Sequence, residues 1–443
     1  MKKQNTFLHT GRGPAGMKPF FILWSTQALS ALGSSMTSFG LIIWSYQQQG
    51  SALTTALLSV CSYAPYVLLS LFAGVLSDRW NKKTTMLACD SLAALTTLVV
   101  WLLLWSGRLE IWHLYVINAI NGVMNSTQQP ASEVAISALT PREQYQRVGG
   151  LRTFANSLVT VLTPMLATAC LSFWGMGSLI LFDAVSFLVA FLALALFIRL
   201  PGGSAGAKER ESFREAAAQG LGYLRDNRGI LDLILFLAAI NLIASIYEAA
   251  LAPMLLSRSG GGQTALGMVS AATGLANLAG SVCAALLPAP KSRVRVILNS
   301  LLFAMCSENF LLAFGKSAPV WCLGAVLGWL AIPLMNTNLD ALTRSRIPLD
   351  MQGRVYAIRN ALQFFTIPLG YLAGGFLVDR VFEPWMGLRP QDSLVVSVFG
   401  SGKGSGAALL YFFLAFAGII ICLIFRRDQH IRQLENELRQ AKR

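Results

Sequence analysis

Six carboxylates, Asp90, Glu133, Asp183, Glu248, Glu308 and Asp340, stand inside apolar runs of a 443-residue chain. A charge in such surroundings is expensive unless it is paired, wetted or neutralised by a proton. Groups of this kind bind cations or load and release protons. Depth separates them, at ~1.5 Å of helix per residue. Glu308 falls near the middle of its run and Glu248 deep in its own. Glu133 and Asp340 fall in the thirds next to basic gaps, and Asp90 and Asp183 near an end, where a helix end or Arg152 could serve as partner. Covalent chemistry finds no support. The chain has no nucleophile elbow, no His-Glu-x-x-His motif and no Gly-x-x-x-x-Gly-Lys-Ser/Thr loop, so neither an enzyme nor an ATP-driven pump is expected. Seven cysteines in apolar runs and three scattered histidines indicate no disulfide framework, no metal site and no cofactor.

The elements that hold these carboxylates follow from composition. The chain is 54% hydrophobic and 13% charged, against about 25% charged in soluble domains. Apolar runs near 20 residues recur throughout, each long enough to span a bilayer as a helix. Twelve spans are expected, at 19–46, 51–77, 84–107, 110–139, 147–172, 177–199, 229–256, 263–288, 295–315, 318–343, 352–381 and 405–426. Lys and Arg concentrate in gaps two, four, six, eight and ten, and gaps one and five have none. The even gaps and both termini are therefore expected in the cytoplasm. The net charge of +14 is spread over these short gaps, which speaks for membrane topology and against nucleic acid. The basic tail after Arg426 suits anionic lipid.

The chain is also duplicated. Pro141, Arg147, Val148 and Arg152 recur as Pro348, Arg354, Val355 and Arg359, a shift of 207 in each case. Residues 82–91 match 291–300 at a shift of 209. The organisation expected is a tail, 1–18, a six-helix half, 19–199, a linker, 200–228, a second half, 229–426, and a basic tail, 427–443. Parallel repeats of this kind occur in secondary transporters.

Between spans two and three stand Gly74, Asp78, Arg79, Lys82 and Lys83 in a Gly-x-x-x-Asp-Arg-x-x-Lys-Lys pattern. This closely resembles the signature loop of the major facilitator superfamily, and a degenerate copy without the Asp follows near 288–295. Pro141, Glu143, Arg147 and Val148 after span four, Gly353-Arg354-Val355 after span ten, and Asp183 resemble the bacterial macrolide-efflux and enterobactin-exporter group. The resemblance implies an all-α, twelve-helix membrane protein in two halves, working as a monomer by alternating access in the inner membrane. It implies that Asp78 latches the cytoplasmic gate and that spans one, four, seven and ten line the cavity. Lys82 and Lys83 carry a second reading, as topology signals only.

Cavity-lining spans favour Glu248, then Glu133 and Asp340, over Glu308, whose span is expected at the periphery. Glu133 has a rival role as a gate partner of Lys82 or Arg79. Asn125, Gln128, Gln129, Asn241, Tyr247, Asn336 and Asn338 are the candidate cavity residues. One departure stands against a drug–proton antiporter: Val159, Thr163, Ala167 and Thr168 replace the glycines expected around Pro164 in span five. The function expected is proton-coupled export of an amphipathic drug, macrolide or siderophore. A lipid or lysophospholipid flippase, or a non-transporting membrane receptor on the same scaffold, remains the alternative.

Overall fold

The computed structural model describes residues 17–79, 81–140, 144–198, 213–288 and 290–433. Side chains are also left undescribed at a few helical positions, among them 70–79. Sixteen α-helices and one π-helical stretch account for nearly all of the described chain. They are α1 (Lys18–Gln49), α2 (Ala52–Arg79), α3 (Lys82–Trp105), α4 (Ile111–Leu139), α5 (Tyr145–Trp174), α6 (Met176–Phe197), α7 (Phe213–Asp226) and α8 (Arg228–Ser257). Next come α9 (Gln263–Leu286), α10 (Arg293–Phe314), α11 (Ala318–Leu330), α12 (Ile332–Arg346) and α13 (Leu349–Phe376). The π-helical stretch Leu377–Phe382 then runs into α14 (Glu383–Gly387), followed by α15 (Leu394–Phe399) and α16 (Ser405–Arg427).

Eleven helical segments are long and apolar enough to cross a membrane, so the protein is a multi-pass membrane protein. The expected fourth span forms the 29-residue helix α4 but is not among the eleven. Its Asn118, Asn121, Asn125, Gln128 and Gln129 lower its hydropathy. The expected tenth span is two helices, α11 and α12, meeting at Ala331 with Pro333 in the first turn of the second. Proline lacks the N–H that would continue the upstream ladder. The expected eleventh span runs past 381 through the π-helical stretch into α14. Within the stretch drawn as a linker, α7 packs against α8 and α13, with Leu224 fully buried and the Tyr223 hydroxyl donating to the Arg346 carbonyl at 2.9 Å.

The helices fall into two packing groups. In the first, α1 packs on α5 and α6, and α4 on α2 and α3. In the second, α8 packs on α13 and α16, and α10 on α11, α12 and α16. The groups meet where α2 crosses α13 and α5 crosses α9. The second group holds one continuous buried core, centred on Trp321, Tyr411 and Phe236; the first holds three smaller clusters.

Glycine sets the crossings. At Gly370 and Gly374 a Cβ would lie 2.5 Å from Ser245 Cβ and 2.7 Å from Ala249 Cβ, both on α8. At Gly375 it would lie 2.6 Å from Leu53 Cα on α2. So one glycine run in α13 lets two neighbours approach at backbone distance, as small residues do in membrane bundles.

Candidate functional site

For sidedness, the end carrying Lys83, Arg147, Arg295 and Arg344 is called the basic end. A cavity of about 170 Å³ lies between the halves toward the opposite end. Phe39 and Ile42 come from α1, and Thr55, Ala56 and Ser59 from α2. Glu248, Leu251 and Pro253 come from α8, Ser270 from α9 and Tyr371 from α13. Tyr371 stacks on Tyr63 of α2, with ring centroids 5.9 Å apart and planes 17° from parallel. Glu248 sits two-thirds of the way along a 30-residue helix, yet its side chain is open to this cavity.

Glu308 stands differently. It is 5% exposed, and its Oε1 accepts from the Tyr247 hydroxyl at 2.6 Å and from Trp329 Nε1 at 3.1 Å. Tyr247 itself is 5% exposed and faces α10, not the cavity. The Tyr411 hydroxyl donates to the Tyr247 carbonyl at 2.8 Å and completes a polar cluster inside the second half. The adjacent residues Tyr247 and Glu248 thus serve different faces of α8.

Toward the basic end stand two ion pairs with half-exposed carboxylates. Glu133 of α4 is held by both terminal nitrogens of Arg152 on α5. Asp340 of α12 lies 3.8 Å from Arg359 of α13. Arg152 is therefore the partner of Glu133, not of Asp90 or Asp183. The two pairs are related by the repeat, since both members shift by 207 residues. The carboxylates stay about half exposed, at 48% and 57% for the side chains.

Asn125, Gln129 and Asn336 are also exposed, and the Tyr66 hydroxyl donates to Gln129 Oε1 at 2.6 Å. Amides and paired charges on transmembrane helices are costly against lipid, so this polar surface of α4 and α12 calls for water or protein beside it.

Other expected cavity residues turn inward to protein. Gln128 donates to Asp90 Oδ1 at 2.5 Å, and Gln27 to Oδ2 at 3.4 Å. Asn338 is buried, with its amide on the Leu334 carbonyl at 2.9 Å. Asn241 makes a long contact of 3.5 Å to the Gln363 carbonyl. Asp183 accepts from Ser34 at 2.8 Å and Thr97 at 3.2 Å, tying α6 to α1 and α3. In the signature loop, Lys83 donates to the carbonyls of Ala195 and Ile198 at the end of α6, at 2.9 and 2.7 Å. The side chains of Gly74, Asp78 and Arg79 lie outside the described residues.

Sequence reasoning missed Tyr63, Tyr371 and Ser59. Nothing in an apolar run distinguishes a cavity tyrosine from an interface one until the crossing of α2 and α13 is known. Arg359 had a readable signal, as the repeat partner of Arg152.

The family model for the Major Facilitator Superfamily matches residues 23–371. The chain belongs to the Major Facilitator Superfamily. Macrolide efflux protein A of Streptococcus pyogenes is 23% identical over 370 residues, covering 82% of this chain and 90% of that protein. The multidrug efflux pump Tap of Mycolicibacterium fortuitum is 24% identical over 383 residues, covering 84% and 90%. Among solved structures, the nucleoside transporter NupG superposes with a TM-score of 0.69 at 11% identity, over 92% of this chain and 99% of that one. A bacterial homologue of the iron transporter ferroportin, in an inward-facing state, superposes with a TM-score of 0.67 at 17% identity, over 93% and 99%. These likenesses establish the fold. The superfamily is one of transporters and not of enzymes, and this member has efflux-pump homologues.

Proposed function

We propose that this protein exports amphipathic small molecules, drug-like or siderophore-like, in exchange for protons, by alternating access of its two halves about the cavity at Glu248. The basic end then faces the cytoplasm, as the distribution of Lys and Arg favours. The observation that carries the reading is an acid deep in a membrane helix, open to a cavity whose lining comes from both halves. An ion-paired carboxylate would be committed to its partner. Among the described residues Glu248 makes no ion pair, so it is available to a proton or to a cationic substrate in turn. Phe39, Tyr371 and the Tyr63 stack beside it offer apolar and aromatic surface to the rest of an amphipath. The exposed amides and ion pairs of α4 and α12 give the wetted route from the basic end.

The test is export from proteoliposomes under an imposed proton gradient. Moving one charge through the potential supplies about 2.3 kcal/mol per 100 mV, so uphill accumulation should collapse with an uncoupler. Glu248→Gln should abolish gradient-driven export and leave substrate exchange. Uphill, pH-dependent export by Glu248→Gln at normal levels contradicts the coupling role.

A further inference from the structure

The signature loop draws attention to the basic end, but the structure holds its halves together at the other. There α2 begins without an acidic residue of its own in its first turn. The first N–H groups of a helix need acceptors, and its positive end favours an anion. Ser51 supplies one acceptor, its Oγ taking the Thr54 N–H at 3.1 Å. The rest comes from the other half. Asp379 Oδ1 accepts from Ala52 N at 2.9 Å, and Oδ2 accepts from Leu53 N at 2.8 Å and Ser51 Oγ at 2.6 Å. Both oxygens of one carboxylate therefore cap a helix that lies more than 300 residues away in sequence.

The local backbone serves this contact. Asp379 lies in the π-helical stretch Leu377–Phe382, and a π-turn re-aims the side chains that follow a regular helix. Glu383, four residues on, reaches back into its own half, with Oε1 accepting from Gly404 N at 3.0 Å and Ala407 N at 3.1 Å at the start of α16. One carboxylate thus anchors the stretch while its neighbour crosses the interface. Below them, Gly375 brings α13 to backbone distance from Leu53, and Tyr371 and Ala56 line the cavity that holds Glu248. Tyr46 with Ser257, and Lys403 with the Gly50 carbonyl at 3.5 Å, join the halves at the same level.

We propose that Asp379 is a gate latch, a carboxylate that holds the end of the transporter opposite its basic face shut over the Glu248 cavity by capping α2 from the other half. The contact must break for the cavity to open on that side, so Asp379 sets the balance between the two access states. The proposal rests on the alternating-access reading above, and its test needs no substrate and no gradient. A failure here is therefore distinct from a failure of the export assay.

The experiment is hydrogen–deuterium exchange by mass spectrometry on the full-length protein in lipid nanodiscs, for wild type, Asp379→Asn, Ser51→Ala and Glu383→Gln. Charge-assisted bonds to the carboxylate are about twice as strong as neutral ones, so Asp379→Asn should speed exchange in the first turn of α2 roughly tenfold. Peptides around Ser257, which Asp379 does not touch, should speed up with it, because the halves separate together. Ser51→Ala should move the same peptides by less. Glu383→Gln removes an anchor within one half, and should speed only the start of α16. The latch is overturned if Asp379→Asn exchanges like wild type. It is equally overturned if faster exchange stops at the residues that touch Asp379, or spreads over the whole chain as general unfolding while Ser51→Ala changes nothing.

Discussion

Glu248, the carboxylate proposed to couple transport, and Glu308, held inside the second half, differ mainly in what surrounds them. They stand on α8 and α10, which both pack on α16, and Tyr247 touches one while preceding the other in sequence. What differs is supply of donors. Glu308 has a hydroxyl and an indole N–H on one oxygen and lies pressed against Gly328. Glu308→Gln keeps that acceptor oxygen, and should fold and transport close to wild type. Glu308→Ala strands the buried Tyr247 hydroxyl and Trp329 N–H, at a cost of about 1–3 kcal/mol each. A thermal melt in detergent should therefore separate the two variants clearly. Equal melts would mean that these hydrogen bonds contribute nothing net.

Arg258 gives a second prediction at the same scale. Just beyond α8, it donates to the carbonyls of Leu312, Ala313 and Phe399 at 2.9–3.1 Å, and its guanidinium lies over Trp321. Burial pushes its pKa down to about 10. The folded value still exceeds the working range, so below it the folded and unfolded chains both carry the proton. No linkage to pH arises there; only above about 10, where the native state alone loses its proton, would this group make stability rise with pH. Arg258→Met should lower the melting midpoint by several degrees, and by the same amount at every point from about pH 6 to 9. A gap that widens or closes across that window would place the titration elsewhere.

Elements were more legible than their contacts. Eleven of the expected spans appear as membrane-length helical segments because apolar length is a one-dimensional property of the chain. The polar helix α4 was legible for the opposite reason: its amides mark it out, and Asn125 and Gln129 are exposed. Which amides stay exposed was not legible. Gln128 and Gln129 are neighbours, and a rotation of about 100° per residue sends one to Asp90 and the other to Tyr66.

The glycines missing from span five illustrate the same limit. At that crossing they sit on the partner helix, where Gly267 faces Thr168 and Gly274 faces Val161, with a Cβ at Gly274 only 2.9 Å from Val161 Cγ2. A close crossing needs small residues on one side only, and a single-helix motif cannot show which side. Gly274→Leu should therefore wedge α9 from α5, and cut export while membrane insertion stays normal. Undiminished export by well-expressed Gly274→Leu would show that this crossing need not stay tight.

At the scale of the molecule, the repeat is chemical as well as architectural. Glu133–Arg152 and Asp340–Arg359 share one shift of 207 residues, each joining two consecutive helices of its half near the basic end. Each pair holds a carboxylate that remains about half exposed, and an exposed ion pair contributes about 0–1 kcal/mol to stability. Stability is thus a weak reason for such pairs; under the proposed export reading, fixing the polar walls of the path is a stronger one. Under the proposed alternating access the halves close at the basic end, where like charges brought together without their partners would repel, whereas paired charges can meet. Neutralising one partner alone should then hinder closure more than removing both. Glu133→Gln and Arg152→Gln singly should each slow export, and the double variant should recover part of it, by more than additivity allows. The same cycle on Asp340 and Arg359 should give a coupling of the same sign. Independent effects in both cycles, each double variant equal to the product of its singles, would show that the repeated pairs play no part in closure.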